Sequence, residues 1–362
     1  MLLNRLDRYL ALEFLTKLLA VLAALAVVVF MADSLELMRR AAGRTGIDSL
    51  TVLSLALLKL PAMLEQVLPF VVLLAALITL HRLSRRQELT VLRAAGVSVW
   101  QFTAPLLLLA LLIGTVRVFV LNPLAAHSLA VYEEKEARLF KTGRDVFRVG
   151  KDGIWLRQRD GEGYAILRAD KANTTGQLEG ILILRLSRDE TLIERLDAST
   201  ATLLPGMWRL EKLRLSRPGQ APIDLGTAAL NTDVTPAQLQ DSFAPPRTIA
   251  SWDLPGMIRT LQDAGFAAKR HLVHWHSLLL TPLLLAAMVY IAAAAALQPP
   301  RRRVVMRLIV YGVGAGFTLF FVTDLVTALG MSGRLPVLLA VWFVPLAALM
   351  LAVSVLLWRE DG

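Results

Sequence analysis

The run LLAVLAALAVVVFMA, residues 18–32, contains no charged side chain and decides the class of the fold. Together with the residues from Leu10 onward, it is long enough to cross the roughly 30 Å hydrocarbon core of a bilayer as a helix. The segment exceeds the apolar region of a signal peptide, and no small-residue cleavage site of the A-x-A kind follows it. We therefore expect residues 10–32 to form a retained membrane span.

Comparable apolar runs lie at both ends of the chain, and the whole composition agrees with a membrane protein. Hydrophobic residues make up 56% of the sequence and charged residues only 19%, far from the profile of a soluble domain. The second of the predicted spans contains Lys59, Pro61, Glu65 and Pro69, which indicates a long, partly protein-facing helix. The six predicted spans are residues 10–32, about 50–80, 98–121, 277–297, 304–327 and 335–358.

The central region, residues 122–269, has the pattern of a β domain. Short runs with rough alternation of apolar and polar residues, such as 153–157 and 207–213, are separated by turn residues. An antiparallel sandwich or jelly roll is the expected outcome, with helical linkers near residues 128–141 and 253–268. An inert spacer is the alternative role. The predicted domains are thus 1–121 with spans one to three, 122–269, and 270–362 with spans four to six.

Arginines in the short loops predict the orientation in the membrane. One alternating set of loops and termini holds eleven arginines, whereas the other set holds four, Arg39, Arg40, Arg44 and Arg334. Because basic residues are retained in the cytoplasm, both termini are expected there and the β domain outside, in the periplasm of a bacterium. The fold class is therefore an α-helical membrane protein with six transmembrane helices and an inserted periplasmic all-β, jelly-roll-like domain. The eleven are Arg5, Arg8, Arg82, Arg85, Arg86, Arg93, Arg301, Arg302, Arg303, Arg307 and Arg359.

The loop between spans two and three has the features of a short cytoplasmic coupling helix, about residues 84–97. Leu89 and Leu92 fall on one helical face, and Gly96 suits the left-handed backbone at a helix terminus. Ser98 and Gln101 have the spacing of a capping box that opens the next span. A simple interfacial turn, which would need only the arginines, remains the alternative.

The order of three spans, a β domain and three spans, together with RQELTVLRAAG at residues 86–96, resembles the LptF/LptG permease family over essentially the whole chain. The opening LDRYL at residues 6–10, the Arg39–Arg40 pair and the short segment after Trp358 resemble the LptG member. The paralogous LptF subunit remains the alternative. One departure lies near span four, where His276 and Ser277 follow Trp275 in place of an expected lysine, and no role is assigned there.

The resemblance implies a permease subunit of an ABC-type lipopolysaccharide exporter in the bacterial inner membrane. It implies an LptB-like ATPase dimer, an LptF-like permease, an LptC-like bridge protein, periplasmic LptA and lipopolysaccharide as partners. It further implies that lipopolysaccharide leaves the outer leaflet of the inner membrane through a cavity between two permeases. No nucleic-acid partner and no cofactor are expected.

The chain is not expected to be an enzyme. It has no GxxxxGK[ST] phosphate-binding loop, since Gly150 and Lys151 are followed by Asp152, so a partner must hydrolyse ATP. A charged coupling helix can engage an ATPase groove through polar contacts around an apolar anchor. Together with the family resemblance, this pattern predicts that six residues couple the chain to the ATPase. They are Arg86, Glu88, Leu89, Leu92, Arg93 and Gly96.

Basic residues outside the membrane are candidates for binding the phosphates of lipid A, an amphipathic anion. Arg39 and Arg40 follow span one directly, with Arg44 and Arg117 behind them. The alternatives are that Arg39 and Arg40 only reach lipid head groups and that Arg117 pairs with Asp324.

Three further interpretations are less well supported by the sequence than a lipopolysaccharide permease: a metal site, a membrane-embedded enzyme and a mechanotransmission subunit. The histidines His271, His274 and His276 do not share one helical face, so an interfacial aromatic belt beside Trp275 is favoured over a metal site. A membrane-embedded enzyme lacks a GxSxG serine or a paired-acid arrangement beside Asp324. A mechanotransmission-type ABC subunit that does not itself carry lipid would usually have four spans.

Overall fold

The computed structural model describes residues 5–42, 48–140, 147–150, 153–160, 163–172, 177–187, 191–204, 206–232, 245–263, 268–296 and 304–360. Its helices are α1 (Arg5–Ala41), α2 (Ser49–Arg85), α3 (Glu88–Ala94), α4 (Val99–Val116), α5 (Asn122–Phe140), α6 (Leu254–Asp263), α7 (Lys269–Ala296), α8 (Val304–Met331) and α9 (Val337–Glu360). A π-helical segment, Arg117–Leu121, joins α4 to α5, and a 3-10 turn, Pro246–Thr248, precedes α6. Arg44 and Arg301 to Arg303 lie outside the described residues.

Six helical stretches in the described residues are long and apolar enough to span a membrane, which confirms the predicted number. They are α1, α2, the continuous stretch Val99–Phe140, α7, Val310–Met331 of α8 and Val337–Trp358 of α9. The third differs from the prediction in one respect. The chain does not leave the helix at residue 121, because the π-helical segment passes directly into α5.

Helices α2 and α7 form the centre of the membrane bundle. In the most apolar stretch of each helix, 56% of the residues of α2 and 61% of those of α7 are buried, against 11% for α1 and 17% for α8. The core between them contains Leu73 of α2 and Val289 of α7, with Phe14 of α1 packed against it. At Gly114 of α4 a side chain would collide with the backbone of Pro282, so this glycine allows α4 and α7 to approach closely.

The β domain contains one antiparallel sheet of seven strands in its described residues. Neighbouring strands in the chain are also neighbours in the sheet throughout, in the order β1 to β7. The all-β class of the insertion is confirmed, and its described strands follow one another as a meander. The strands are β1 (Phe147–Gly150), β2 (Gly153–Asp160), β3 (Gly163–Ala172), β4 (Gln177–Leu186), β5 (Leu192–Leu204), β6 (Met207–Ser216) and β7 (Ile223–Asn231).

The strand register separates an apolar face from a charged face. Leu167, Ile183 and Leu196 lie opposite one another on adjacent strands, and all three are buried. Because side chains alternate along a strand, the next residues project from the opposite face. There Arg214 and Asp224 pair across β6 and β7 at 2.9 Å.

Glu194 is a buried carboxylate at the margin of the apolar face. Arg185 donates to its Oε1 over 2.5 Å and Arg217 to its Oε2 over 3.2 Å. Burial alone would raise the pKa of Glu194, but these two guanidinium hydrogen bonds lower it below its ordinary value. The pair therefore keeps the carboxylate charged within the sheet.

The chain divides into two compact units, each with its own packing. One comprises Met1–Glu136, Arg247–Pro255 and Lys269–Gly362, and the other comprises Ala137–Pro246 and Gly256–Ala268. The membrane unit therefore keeps most of α5, beyond the boundary expected at residue 122. It also retains a short part of the chain that returns from the β domain.

Candidate functional site

The predicted coupling helix is α3, which packs on the membrane bundle by its apolar face. Leu89 is 6% exposed and belongs to the bundle core, and Leu92 packs against that core. Both leucines therefore anchor α3 to its own chain, and their part in coupling to an ATPase stays a prediction. Val91 is a large apolar side chain of α3 that is exposed.

The end of α3 and the start of α4 are set by local backbone requirements. Gly96 has φ +82°, and an added Cβ would meet no atom within 4 Å, so the backbone conformation alone calls for glycine. Ser98 Oγ accepts from the Gln101 amide, and the Gln101 side chain accepts from the Ser98 amide. Both features were predicted, and both are confirmed.

Glu88 is held by a residue from the start of α1. The Tyr9 hydroxyl donates to Glu88 Oε2 over 3.1 Å, and Arg86 Nη1 lies 3.9 Å from Oε1. Arg86 and Arg93 are exposed. The region around α3 therefore carries two exposed guanidinium groups and one carboxylate, and that carboxylate is held by a residue of α1.

Arg39 and Arg40 share one carboxylate at the end of α1. Both donate to Glu36, with distances of 2.9 to 3.1 Å, and Arg40 Nη1 also lies 3.5 Å from Glu136. Both arginines remain largely exposed. An anion that binds the pair must therefore compete with Glu36 for the guanidinium groups.

A second ion pair, less exposed than the one at Arg39 and Arg40, joins α1 to α2. Lys59 Nζ is 2.5 Å from Asp33 Oδ1, and Asp33 is only 7% exposed. The ring of Tyr132 lies under the ammonium group, with 5.5 Å from Nζ to the ring centroid. Removing either charge would leave the other poorly solvated, so the pair joins α1 firmly to α2.

Arg117 contacts α7. Its Nη1 donates to Thr281 Oγ1 of α7 over 2.6 Å, and its Nε is shielded from solvent. The predicted alternative partner, Asp324, is exposed on α8. Arg117 is thus a partly buried polar residue of the membrane bundle, and its role in binding phosphate stays a prediction.

The histidines of α7 have separate environments. His276 Nδ1 accepts from Trp342 Nε1 over 3.5 Å, and the two rings meet edge to face at 6.5 Å. His271 is buried. His276 therefore packs as an aromatic side chain against Trp342 of α9.

The sequence of the chain matches a known protein family. The family profile described as "Lipopolysaccharide export system permease LptF/LptG" matches residues 8–359. The chain belongs to the LptF/LptG family. It is LptG-like: it is 26% identical over 298 residues to the lipopolysaccharide export system permease protein LptG of Escherichia coli strain K12, with 77% of each chain covered. The LptG protein of Escherichia coli O6:H1 strain CFT073 matches with the same identity and coverage.

Membership in the LptF/LptG family makes the chain a lipopolysaccharide export permease and a multi-pass inner-membrane protein. The motif at residues 86–96 that carried the resemblance forms α3 and its two ends. Sequence reasoning missed Tyr9, Glu36, Asp33 and Lys59 as partners, although a lysine inside a predicted span was a usable signal.

Proposed function

We propose that this chain extracts lipopolysaccharide from the inner membrane and passes it to a periplasmic bridge, driven by a partner ATPase. The observation that supports the proposal most is the family match over residues 8–359 of a chain with six spans and an inserted β domain. The partners proposed are an LptB-like ATPase dimer, an LptF-like permease, an LptC-like bridge protein and periplasmic LptA. Both termini are cytoplasmic and the β domain is periplasmic in this proposal, as the loop arginines favour.

The ATPase binds at α3 in this proposal. Arg86 and Arg93 are exposed there and Val91 supplies an apolar surface, which suits a groove with acidic walls. Glu88 transmits the movement of the ATPase to α1, since the Tyr9 hydroxyl binds its carboxylate. Leu89 and Leu92 contribute by fixing α3 to the bundle, and Gly96 by ending it.

The phosphates of lipid A bind at Arg39 and Arg40 in this proposal, with Arg44 nearby in the sequence. A phosphate group carries more charge than the Glu36 carboxylate and offers more acceptor oxygens, so it can displace Glu36 from the two guanidiniums. The released Glu36 is exposed enough to be solvated. Acyl chains would remain in apolar surroundings.

A crosslinking experiment on the full chain with its co-purified partners tests this function. A photoreactive residue placed at Met38, next to the arginine pair, is expected to crosslink lipopolysaccharide, and Arg39→Glu/Arg40→Glu is expected to reduce that yield. The matched control is Arg334→Glu, an arginine of the predicted periplasmic side outside the pair. Normal crosslinking and export by the double variant would reduce Arg39 and Arg40 to interfacial anchors.

Co-purification tests the assembly separately. Recovery of an ATPase dimer and a second permease with the chain from its native membrane is the expected result. Recovery of the chain without either would contradict the proposed exporter.

A further inference from the structure

A partly buried polar cluster lies within the membrane unit, where the π-helical segment meets α2 and α7. Asn122 Nδ2 donates to Glu65 Oε2 over 3.4 Å, and Arg117 Nη1 donates to Thr281 Oγ1 over 2.6 Å. Glu65 lies near enough to Arg117 for their opposite charges to attract, and His274 also lies near Arg117. We call Glu65, Arg117, Asn122, His274 and Thr281 the polar cluster.

The polar cluster concentrates unpartnered buried atoms. Among the described residues, eight buried side-chain nitrogen or oxygen atoms have no hydrogen-bond partner in the protein, and four of them belong to this cluster. They are Oε1 of Glu65, Nε of Arg117, Oδ1 of Asn122 and Nε2 of His274. Buried polar atoms in native proteins find partners, and ordered water supplies them where side chains do not.

The chemistry of three of these atoms selects the ligand. Arg117 Nε is a donor, whereas Glu65 Oε1 and Asn122 Oδ1 are acceptors. An anion would face two acceptors and a cation would face a guanidinium, so neither satisfies the set. Water both donates and accepts, and it can bridge a carboxylate and a guanidinium whose direct hydrogen bonds go to Asn122 and Thr281.

We propose that the polar cluster binds ordered water molecules that bridge Glu65 to Arg117 and complete the hydrogen bonding of Asn122 and His274. The site is independent of the lipid and ATPase contacts proposed above. Arg117 begins a π-helical segment, a distortion that is common at functional sites.

The hydrated cluster adjoins the chain segment that returns from the β domain. Ser251 is 1% exposed, and its hydroxyl donates to the carbonyl of Val118, inside the π-helical segment, over 2.6 Å. The return segment therefore borders the polar cluster through this hydrogen bond.

Radiolytic hydroxyl-radical labelling of the full chain in lipid nanodiscs tests the proposal, because radicals formed from bound water oxidise adjacent side chains even in a buried site. His274 is expected to be labelled several-fold more than Phe102, a reactive ring that is 1% exposed in the apolar core. Equal protection of His274 and Phe102 would overturn the proposal.

Two substitutions of Glu65 separate bound water from general solvent access. Glu65→Gln keeps hydrogen-bonding atoms at this position and should retain the labelling of His274, whereas Glu65→Leu should reduce it. Unchanged labelling in a folded Glu65→Leu protein would also overturn the proposal. If that variant does not insert, the comparison of His274 with Phe102 in the natural chain and in Glu65→Gln decides the outcome.

Discussion

Substitution of Gly114 by alanine tests the close approach of α4 and α7 that brings Arg117 to Thr281. The added Cβ would lie 2.5 Å from Cα and 2.9 Å from N of Pro282. Carbon atoms in contact prefer about 3.5 to 4.0 Å, so the helices would have to separate by about 1 Å. The atoms in the way belong to the backbone of Pro282, which cannot rotate away as the end of a flexible side chain can.

The expected result is a net loss of stability. Overpacking costs roughly 1 to 3 kcal/mol, and a backbone collision belongs at the upper end of that range. The gain in helix propensity from glycine to alanine offsets about 1 kcal/mol. We therefore expect Gly114→Ala to lower the free energy of unfolding by about 2 kcal/mol, the difference of these two effects.

Gly314→Ala is the matched control, since Gly314 also lies inside a membrane helix but an added Cβ there meets no atom within 4 Å. It should leave stability unchanged or raise it slightly. The assay is unfolding of the purified chain in mixed micelles, followed by helical circular dichroism. The reasoning is refuted if Gly114→Ala is as stable as Gly314→Ala.

Three further predictions concern coupling, pH and topology. Tyr9→Phe should preserve recovery of the ATPase but reduce the coupling of hydrolysis to export, as should Glu88→Ala; normal coupling in both would exclude this contact. Glu194→Gln should cost about 1 to 3 kcal/mol of unfolding free energy. Because the folded-state pKa of Glu194 is lowered, this difference should be fully present above the ordinary value of about 4.3 and should vanish as the pH falls through the lower, folded-state pKa. A difference that persists at acid pH would contradict the role of the charge. A reporter fused after Gly176 should be periplasmic and one after Arg86 cytoplasmic, and the opposite result would invert the proposed orientation.

The sequence by itself determined the features that depend on neighbouring residues. The length of apolar runs sets the number of membrane spans, because a helix must bury its backbone hydrogen bonds across the bilayer. Gly96 and the Ser98–Gln101 box act over one helical turn, so their spacing alone predicted the end of α3 and the start of α4. Alternation and turn spacing likewise indicated a β domain, although not the order of its strands.

Only the tertiary structure decided which side chains meet. Tyr9 reaches Glu88 across 79 positions, and Arg117 reaches Thr281, not Asp324, across 164. The periodicity that placed Leu89 on an apolar face could not show whether that face meets a partner or the chain's own core. Ion pairs and buried polar contacts depend on how helices from distant parts of the sequence pack, because electrostatic and hydrogen-bonding energies depend on distance in space and on burial rather than on separation along the chain.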